Sequence, residues 1–439
     1  MRSKIRTPLS VYMNSYLVGE WTIASNGVHR FNYSSEWLSQ SGARPISFSL
    51  PLISSSKSHK GQVVENFFDN LLPDTRAIRE RLQTRFKADS RSAYDLLSLV
   101  GRDCLGAIQI VPADGDFDTH TVGMISGDIV KEAEIAKILR ETPLQRSSLR
   151  SLKDFRISLA GAQEKTTFCR SNENWRIPSG TTPSTHIFKL PIGDIGIADL
   201  SDSLENEYLC SKIINRFGIP IAETRIERFE EQKTLIVTRF DRKWDLSGKG
   251  LLRLPYEDFC QATGTSSAFK YQSDGGPSIK NIMDILAYSV NAKQDRELFL
   301  KSLMLNWLLA APDAHAKNFS ISIGVRGAIS LAPLYDVASA YPYLDRKGSS
   351  FTSHNLKMAM KCEYYRWNKI LPRHWVRTAS SCGMSEETTL NILSELIDKT
   401  DDAVEMVYRD IPKGFPESVS GPILEGLQEK SEFARSMMF

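Results

Sequence analysis

The second part of the chain changes from strand-like to helix-like sequence patterns along its length. Alternating apolar and polar residues are typical of strands, and apolar residues three or four positions apart are typical of helices. The strand-like stretches are 165–170, 185–190, 224–228 and 235–239, and the helix-like stretches are 204–217, 279–289, 296–310 and 384–407. Strands mostly first and helices mostly last predict an α+β fold with a sheet-rich lobe followed by a largely helical lobe.

The first 150 residues are rich in short strand patterns. Helical spacing at 64–86 is divided by Pro73, and a further helix is expected at 132–140. The predicted strands are 9–13, 16–23, 29–33, 46–52 and 105–112. We therefore predict two domains, an N-terminal β-rich subdomain at 1–150 and a core at 151–439.

Composition and charge narrow the class of protein. The 439 residues leave room for two or three domains, and a net charge of +3 neither demands nor excludes a nucleic-acid partner. The six cysteines contain no Cys-x-x-Cys pair, which favours free thiols over a zinc site or disulfides. Because we find no secretion signal and no apolar stretch of ~18 residues, we expect a cytoplasmic protein without a membrane span.

Three oxygen-bearing side chains flank a predicted hairpin. Asp313 and Asn318 lie five positions apart, before an alternating run at 319–323, and a returning strand leads to Asp336. Protein kinases place a catalytic base and two Mg²⁺ ligands in this order. The pattern is short, and a polar loop that caps a hairpin explains it equally well.

Lys189 is a second feature that agrees with phosphoryl transfer. Alternation places it on the same face of a strand as Ile187, as for the strand lysine with which kinases reach the nucleotide phosphates. The alternative is an edge-strand lysine that faces solvent. Glu205 or Glu207 could be its acidic partner, and their spacing does not decide between them.

A small-residue segment and a charged turn are weaker features. Ala160, Gly161 and Ala162 would let main-chain N–H groups approach a phosphate closely, although a tight β-turn is an equal alternative. Phosphorylation of Ser158, at the edge of this segment, would disturb it. The turn at 239–242 follows a strand, at the place expected of a kinase hinge.

Six motifs occur in the order found in the HipA family. They are 161–165 (GAQEK), 185–191 (THIFKLP), 205–208 (ENEY), 239–242 (RFDR), 315–320 (HAKNFS) and 333–336 (PLYD). Two N-terminal stretches, 66–74 and 100–103, are similar to the same family. The chain thus resembles, over nearly its whole length, the serine/threonine kinase toxins of bacterial HipBA toxin–antitoxin systems.

The resemblance implies a two-lobed, protein-kinase-like fold and a protein kinase that depends on ATP and Mg²⁺. Asp313 would be the catalytic base, and Asn318 and Asp336 would be Mg²⁺ ligands. Lys189 would bind the ATP phosphates, and His315 would lie beside the nucleotide.

The resemblance also implies further nucleotide contacts. Thr238 and Phe240 would flank the adenine, although one family member has an acidic residue where Thr238 stands, so only a main-chain contact carries over. Ser158 matches the serine that the family autophosphorylates, which ejects the phosphate loop and silences the kinase. Ala314 stands where the family has glycine. The phosphate loop would comprise Leu159, Ala160, Gly161, Ala162 and Gln163.

The resemblance finally implies a biological role. HipA kinases phosphorylate glutamyl-tRNA synthetase on a serine, which promotes persistence, and they are neutralised by HipB, a dimeric helix-turn-helix antitoxin whose complex binds operator DNA. The chain itself has no convincing helix-turn-helix pattern, so we expect DNA contact mainly through the antitoxin. One alternative is an ATP-dependent phosphotransferase for a lipid or small molecule. The other is a non-catalytic corepressor component, against which the intact Lys189, Asp313, Asn318 and Asp336 argue.

Overall fold

The computed structural model describes residues 6–143, 163–194, 196, 198–345 and 352–438. Of the predicted phosphate loop, Gln163 lies within this part of the chain. The predictions for Ser158, Leu159, Ala160, Gly161 and Ala162 lie outside the described residues.

A five-stranded antiparallel sheet dominates the N-terminal subdomain. Its strand order is β4-β3-β2-β1-β5, and helix α2 packs Phe68 flat against Trp21 of β2, with 3.9 Å between the ring centroids. The predicted strands at 9–13, 16–23 and 29–33 are confirmed. The elements are β1 (Leu9–Met13), β2 (Tyr16–Ile23), β3 (His29–Tyr33), α1 (Ser35–Ser39), β4 (His59–Lys60), α2 (Gln62–Asp69), α3 (Arg76–Phe86), α4 (Ala93–Val100) and β5 (Ile108–Pro112).

The predicted strand at 46–52 is wrong. Residues 47–50 form a turn in which the Leu50 N–H donates to the Ser47 carbonyl at 3.1 Å. The Ser49 N–H donates to Ser47 Oγ at 3.1 Å, and the Phe48 N–H donates to Glu257 Oε1 at 2.7 Å. Because side chains satisfy these main-chain donors, the alternating segment does not need a strand partner.

A six-stranded antiparallel sheet forms the first lobe of the core, in the order β12-β13-β9-β7-β8-β6. Helix α5 packs against Phe188 and Ile236 on one face, and helix α6 packs against Leu235 and Val237 on the other, as expected where successive side chains alternate. The elements are β6 (Ile129–Val130), α5 (Glu132–Glu141), β7 (Lys165–Ser171), β8 (Asn174–Arg176), β9 (His186–Lys189), β10 (Gly193–Asp194), β11 (Asp199–Leu200), α6 (Ser203–Arg216), β12 (Thr224–Phe229) and β13 (Gln232–Thr238).

Strand β6 and helix α5 precede residue 150 but pack with the core. Ile129 pairs with Arg176 of β8, and Ile135 and Leu139 of α5 share a cluster with Phe168 of β7. The division of the chain at residue 150 stays a prediction, and the structure places this strand and this helix on the core's side of it.

Helices dominate the second lobe. The helix predicted at 384–407 is interrupted at Lys399, where the Thr400 hydroxyl donates to the Leu396 carbonyl at 3.0 Å. The elements are β14 (Arg242–Trp244), β15 (Leu251–Arg253), β16 (Tyr256–Asp258), α7 (Phe259–Thr263), α8 (Ile279–Leu286), α9 (Ala292–Leu308), β17 (Ser320–Ile323), β18 (Ile329–Leu331), β19 (Lys357–Cys362), β20 (Tyr364–Arg366), α10 (Pro372–Ser381), α11 (Glu386–Asp398), α12 (Thr400–Asp410) and α13 (Glu417–Ser436).

All six cysteines are buried free thiols, as predicted. Within the described ranges, no helix combines the length and the apolar character that crossing a membrane requires.

A buried ionic cluster joins the N-terminal subdomain to the core. Asp103 contacts Arg242 Nη2 at 3.0 Å and Arg253 Nη2 at 3.1 Å, while Arg239 Nη2 contacts Asp241 at 2.7 Å. Burial opposes ionisation of Asp103, but the guanidinium groups outweigh burial and hold its pKa well below the usual range. Arg239 Nη1 also lies 3.6 Å from Asp103, and Asp241 accepts the Gly106 N–H at 2.7 Å, so three of the four residues of the predicted hinge at 239–242 hold the two parts of the chain together.

Glu257 makes a second contact between these parts through the Phe48 N–H. Its side chain is buried, and its Oε2 has no hydrogen-bond partner among the described residues. Burial raises the pKa of this carboxyl to about 8, so Glu257 is mostly protonated at neutral pH.

We expect Glu257 to make the protein less stable as pH rises. In the unfolded chain Glu257 ionises near its ordinary pKa of 4.5, whereas the folded chain holds the proton up to about 8. Between these two pKa values the folded state binds more protons than the unfolded state. The contribution of Glu257 to the free energy of unfolding is therefore complete below the unfolded-chain pKa and is lost as pH rises through the folded-chain pKa. Urea unfolding between about pH 5 and about pH 9 measures the free energy of unfolding as a function of pH, and Glu257→Gln should make it depend less on pH. Parallel curves for the two proteins would contradict the assignment.

Candidate active site

A cavity of about 370 Å³ lies between the two lobes. Its volume is in the range of sites that hold small-molecule ligands. Loops and strands of both lobes line it, and residues of the N-terminal subdomain, including Asp74, reach its wall. The cavity brings together every described residue of the predicted site, namely Gln163, Lys189, Thr238, Phe240, Asp313, His315, Asn318 and Asp336.

Lys189 is buried on the central strand β9 and lies between two carboxylates. Its Nζ is 2.6 Å from Glu207 Oε1 and 2.7 Å from Asp336 Oδ1. Helix α6 thus supplies Glu207 as the acidic partner, whereas Glu205 contacts Lys233 at 2.6 Å. The alternative of a solvent-facing edge lysine is wrong, because β9 has a neighbour on each side and the Lys189 side chain is only 7% exposed.

Two lysines and two carboxylates meet at this wall of the cavity. Burial opposes the charge on Lys189, but Asp336 and Glu207 outweigh it and raise the lysine pKa above its ordinary value. Desolvation likewise opposes ionisation of Asp336, and Lys189 and Lys165 hold the pKa of that carboxyl well below its usual range. Lys165 pairs with Lys189 in the sheet register, and burial together with Lys189 lowers its pKa to about 8. Two lysines on one wall can neutralise phosphate charge.

The predicted triplet is assembled by Asn318. Its Nδ2 donates to the main-chain carbonyl of Asp313 at 2.8 Å and to that of Asp336 at 3.4 Å. The main chain of Asp336 is in the left-handed region, with φ of 60°. The alternative of a polar loop that caps a hairpin accounts for the bonds from the Asn318 amide nitrogen to the main chain. It does not explain why the carboxylates of Asp313 and Asp336 both line the cavity.

The oxygen atoms of the triplet suit a Mg²⁺–nucleotide complex. Because main-chain carbonyls of Asp313 and Asp336 accept from the Asn318 nitrogen, its Oδ1 is the amide atom left for a metal ion. Mg²⁺ prefers such oxygen ligands and is usually held by one or two protein groups together with phosphates. The described residues hold no group of three or more His, Cys, Asp or Glu side chains able to bind a metal ion.

His315 is buried beside Asp313. Its Nε2 is 3.8 Å from Asp313 Oδ1, and its Nδ1 has no hydrogen-bond partner among the described residues. Burial lowers the pKa of His315, which favours the neutral ring at neutral pH. A neutral imidazole at the cavity wall can donate or accept one hydrogen bond to a ligand.

Aromatic side chains also line the cavity. The ring of Phe240 lies 5.8 Å from that of Tyr335 and 5.1 Å from that of Tyr256, between centroids. The Thr238 N–H already donates to the Glu223 carbonyl at 2.9 Å. A main-chain contact from Thr238 to a ligand would therefore use its carbonyl oxygen.

Several residues at the site were missed by the sequence analysis. The Tyr271 hydroxyl donates to Asp313, and Lys317 Nζ is 2.8 Å from Asp258 Oδ2. The sequence offered a signal for two of the missed residues. Asp74 lies in the stretch 66–74 that is similar to the family, and Lys165 begins the predicted strand 165–170. Nothing in the local sequence indicates Tyr271, because its contact spans 42 positions.

Comparison with known proteins identifies the family of this chain. A family model described as the HipA-like C-terminal domain matches residues 157–404, and one described as the HipA N-terminal domain matches residues 9–111. The Sinorhizobium fredii protein Y4mE is 30% identical over 408 residues, 92% of each chain. The serine/threonine-protein kinase toxin HipA of Shewanella oneidensis is 26% identical over 356 residues, 77% of this chain and 76% of the toxin.

A solved structure shows the same fold. HipA in the Shewanella oneidensis complex of HipA, HipB and operator DNA superposes with a TM-score of 0.80 at 21% identity, over 98% of each chain. The prediction of an α+β, two-lobed, kinase-like fold is confirmed. The two family matches together span most of the chain and confirm the resemblance suggested by the six motifs. The chain therefore belongs to the HipA family.

Proposed function

We propose that this protein is a serine/threonine kinase toxin that transfers the γ-phosphate of ATP to a protein serine. The observation that carries the proposal is Lys189 held between Glu207 and Asp336, in the same cavity as Asp313 and Asn318. This arrangement supplies a phosphate-binding cation, two oxygen ligands for Mg²⁺ and, in Asp313, a carboxylate that can accept the proton of the serine hydroxyl. The family membership supports the same activity.

Each residue has one task in the proposed reaction. Asp313 accepts the proton of the serine hydroxyl while the serine oxygen forms a bond to the γ-phosphorus and the bond to ADP breaks. Lys189 and Lys165 would hold the phosphates, and Asn318 Oδ1 and Asp336 would hold Mg²⁺. When bound, Mg²⁺ supplies positive charge that stabilises the transferring phosphoryl group.

The adenine and the phosphate loop complete the proposal. Phe240 and the Thr238 carbonyl flank the adenine, and His315 contacts the nucleotide. The loop Leu159, Ala160, Gly161, Ala162 and Gln163 cradles the phosphates, and autophosphorylation of Ser158 silences the kinase. One described residue supports the proposal, because Gln163 lines the cavity and its Nε2 donates to the Leu190 carbonyl at 2.7 Å, one residue from Lys189.

The proposed partners follow from the family. We assign glutamyl-tRNA synthetase as the substrate, a HipB-like helix-turn-helix dimer as the antitoxin, and operator DNA as a ligand mainly of their complex. The solved complex of a relative with HipB and operator DNA supports this class of partners. Inhibition of tRNA charging in the cytoplasm would then cause persistence.

Transfer to purified glutamyl-tRNA synthetase tests the substrate. We expect one phosphorylated serine and loss of charging activity after incubation with the kinase and Mg²⁺-ATP. Glutaminyl-tRNA synthetase serves as the matched control and should stay unmodified. Equal labelling of both synthetases, or of neither, would contradict the assigned substrate.

Asp336→Asn should abolish the Mg²⁺ dependence of nucleotide binding. The wild-type protein should bind ATP about 10- to 100-fold more tightly with Mg²⁺ than with EDTA, the range expected for one charged ligand interaction. The variant keeps the shape of the side chain but loses its charge, so titration calorimetry should give similar affinities in both buffers. An unchanged response to Mg²⁺ would remove Asp336 from the metal site.

A further inference from the structure

Tyr271 makes a hydrogen bond to Asp313, the carboxylate that acts as the base in the proposed reaction. Its hydroxyl donates a hydrogen bond to Asp313 Oδ1. Burial, together with the negative charge of Asp313, raises the pKa of Tyr271 above its ordinary value, so the phenol keeps the proton that it donates. The Asp313 side chain is otherwise 55% exposed and open to water. The phenol oxygen therefore lies within hydrogen-bonding distance of the base, as the hydroxyl of an acceptor serine must.

Contacts on both sides hold the loop that carries Tyr271. The Tyr271 ring meets the His315 ring edge-on, with 5.0 Å between centroids. The Lys270 carbonyl accepts the Ala316 N–H at 3.4 Å, and Gln272 Oε1 accepts the Lys361 N–H at 2.7 Å. These contacts fix the position of the phenol relative to Asp313.

The N-terminal subdomain anchors the same loop. Lys270 Nζ contacts Asp74 Oδ2 at 3.0 Å. The Thr265 carbonyl accepts Asn70 Nδ2 at 2.8 Å, and the Ser267 hydroxyl donates to Asp69 Oδ2 at 3.0 Å. The N-terminal subdomain therefore contributes to holding the phenol at Asp313.

We propose, on the basis of the proposed kinase function, that Tyr271 is a gate at the acceptor site. Its phenol holds the place of the acceptor hydroxyl on Asp313 Oδ1 and keeps water from that oxygen until a protein serine displaces it. Without the phenol, a water oxygen bonds to the γ-phosphorus, the bond between that phosphorus and the β–γ bridging oxygen breaks, and the water proton passes to Asp313. The products are ADP and inorganic phosphate. Tyr271 thus directs the phosphoryl group to protein and away from water.

Tyr271→Phe tests this gate because it removes only the hydroxyl. In the full-length protein without an acceptor, the initial rate of ADP formation from Mg²⁺-ATP should rise about tenfold, the factor that corresponds to one charge-assisted hydrogen bond. Transfer to a protein serine should stay within about threefold of wild type, because Asp313 remains. An increase in one rate cannot arise from partial unfolding, so the ratio of hydrolysis to transfer separates a gate from a structural role.

Three further variants make the outcome decisive. Phe269→Leu changes a half-exposed ring of the same loop and should leave both rates unchanged. Asp74→Asn loosens the Lys270 anchor and should raise hydrolysis by less than Tyr271→Phe does. The double variant Tyr271→Phe, Asp313→Ala should lose the extra hydrolysis, because water then has no base.

The possible failures are distinguishable. If wild type phosphorylates protein but Tyr271→Phe hydrolyses ATP no faster, the gate is wrong and the kinase function stands. Persistent extra hydrolysis in the double variant also overturns the gate, since Asp313 is then not the group that the phenol protects. If wild type neither transfers nor hydrolyses the γ-phosphate, the proposed function and the gate fail together.

Discussion

Asp313→Ala should lower the rate of phosphoryl transfer by about 10²- to 10⁴-fold, the usual contribution of a general base. Asp313 is the triplet carboxylate that carries neither a lysine nor a proposed metal ion. Because its side chain is more than half exposed, the substitution should leave folding and nucleotide affinity close to wild type. Initial rates with labelled ATP, read beside thermal unfolding and nucleotide titration, check the three expectations.

Asp274→Ala is a matched control for this experiment. Asp274 is an exposed carboxylate in the loop that carries Tyr271 and is not among the residues that line the cavity. We expect it to transfer phosphate at the wild-type rate. A transfer rate in Asp313→Ala within a few-fold of this control would remove Asp313 from the mechanism.

Lys189→Met should abolish nucleotide binding and destabilise the fold by about 3 kcal/mol. The substitution keeps the length of the side chain but leaves Glu207, only 8% exposed, without its cation. It also removes the ammonium from the wall that faces the phosphates. Chemical denaturation gives the free energy of unfolding, and nucleotide titration gives the affinity.

Lys233→Met separates these two effects. Lys233 contacts Glu205 at 2.6 Å, so a second lysine of the same sheet pairs with the same helix α6, outside the residues that line the cavity. We expect Lys233→Met to lose stability, by less than Lys189→Met because Lys233 is 20% exposed, and to bind nucleotide normally. Loss of nucleotide binding in both variants would show that affinity follows stability rather than the ammonium of Lys189.

Local sequence patterns predicted much of the fold. Period-two alternation identified β1 to β3, β7, β9, β12 and β13, because one face of each strand packs on a core while the other meets a different environment. Pro73 separated α2 from α3 for the steric reason that excludes proline from helix interiors. The hairpin β17–β18 followed from alternation around a glycine-containing turn.

Contacts between distant parts of the chain could not be predicted in the same way. The choice of Glu207 over Glu205 depends on how α6 is rotated against the sheet, which spacing alone leaves open. The segment at 46–52 alternates like a strand, but Glu257, some 200 positions away, takes one of its main-chain donors. Arg239 and Arg242 pair with Asp103 of the N-terminal subdomain, so the turn that suggested a hinge connects the N-terminal subdomain to the core.

The most direct test of the central claim is intact-mass spectrometry with peptide mapping after incubation with Mg²⁺-ATP. The protein must first be shown to start unmodified, and Asp313→Ala is incubated in parallel. We predict one added phosphate on Ser158 of the wild-type protein and none on the variant. Absence of phosphate from wild-type protein, both on its own serines and on added glutamyl-tRNA synthetase, would contradict a kinase at this site.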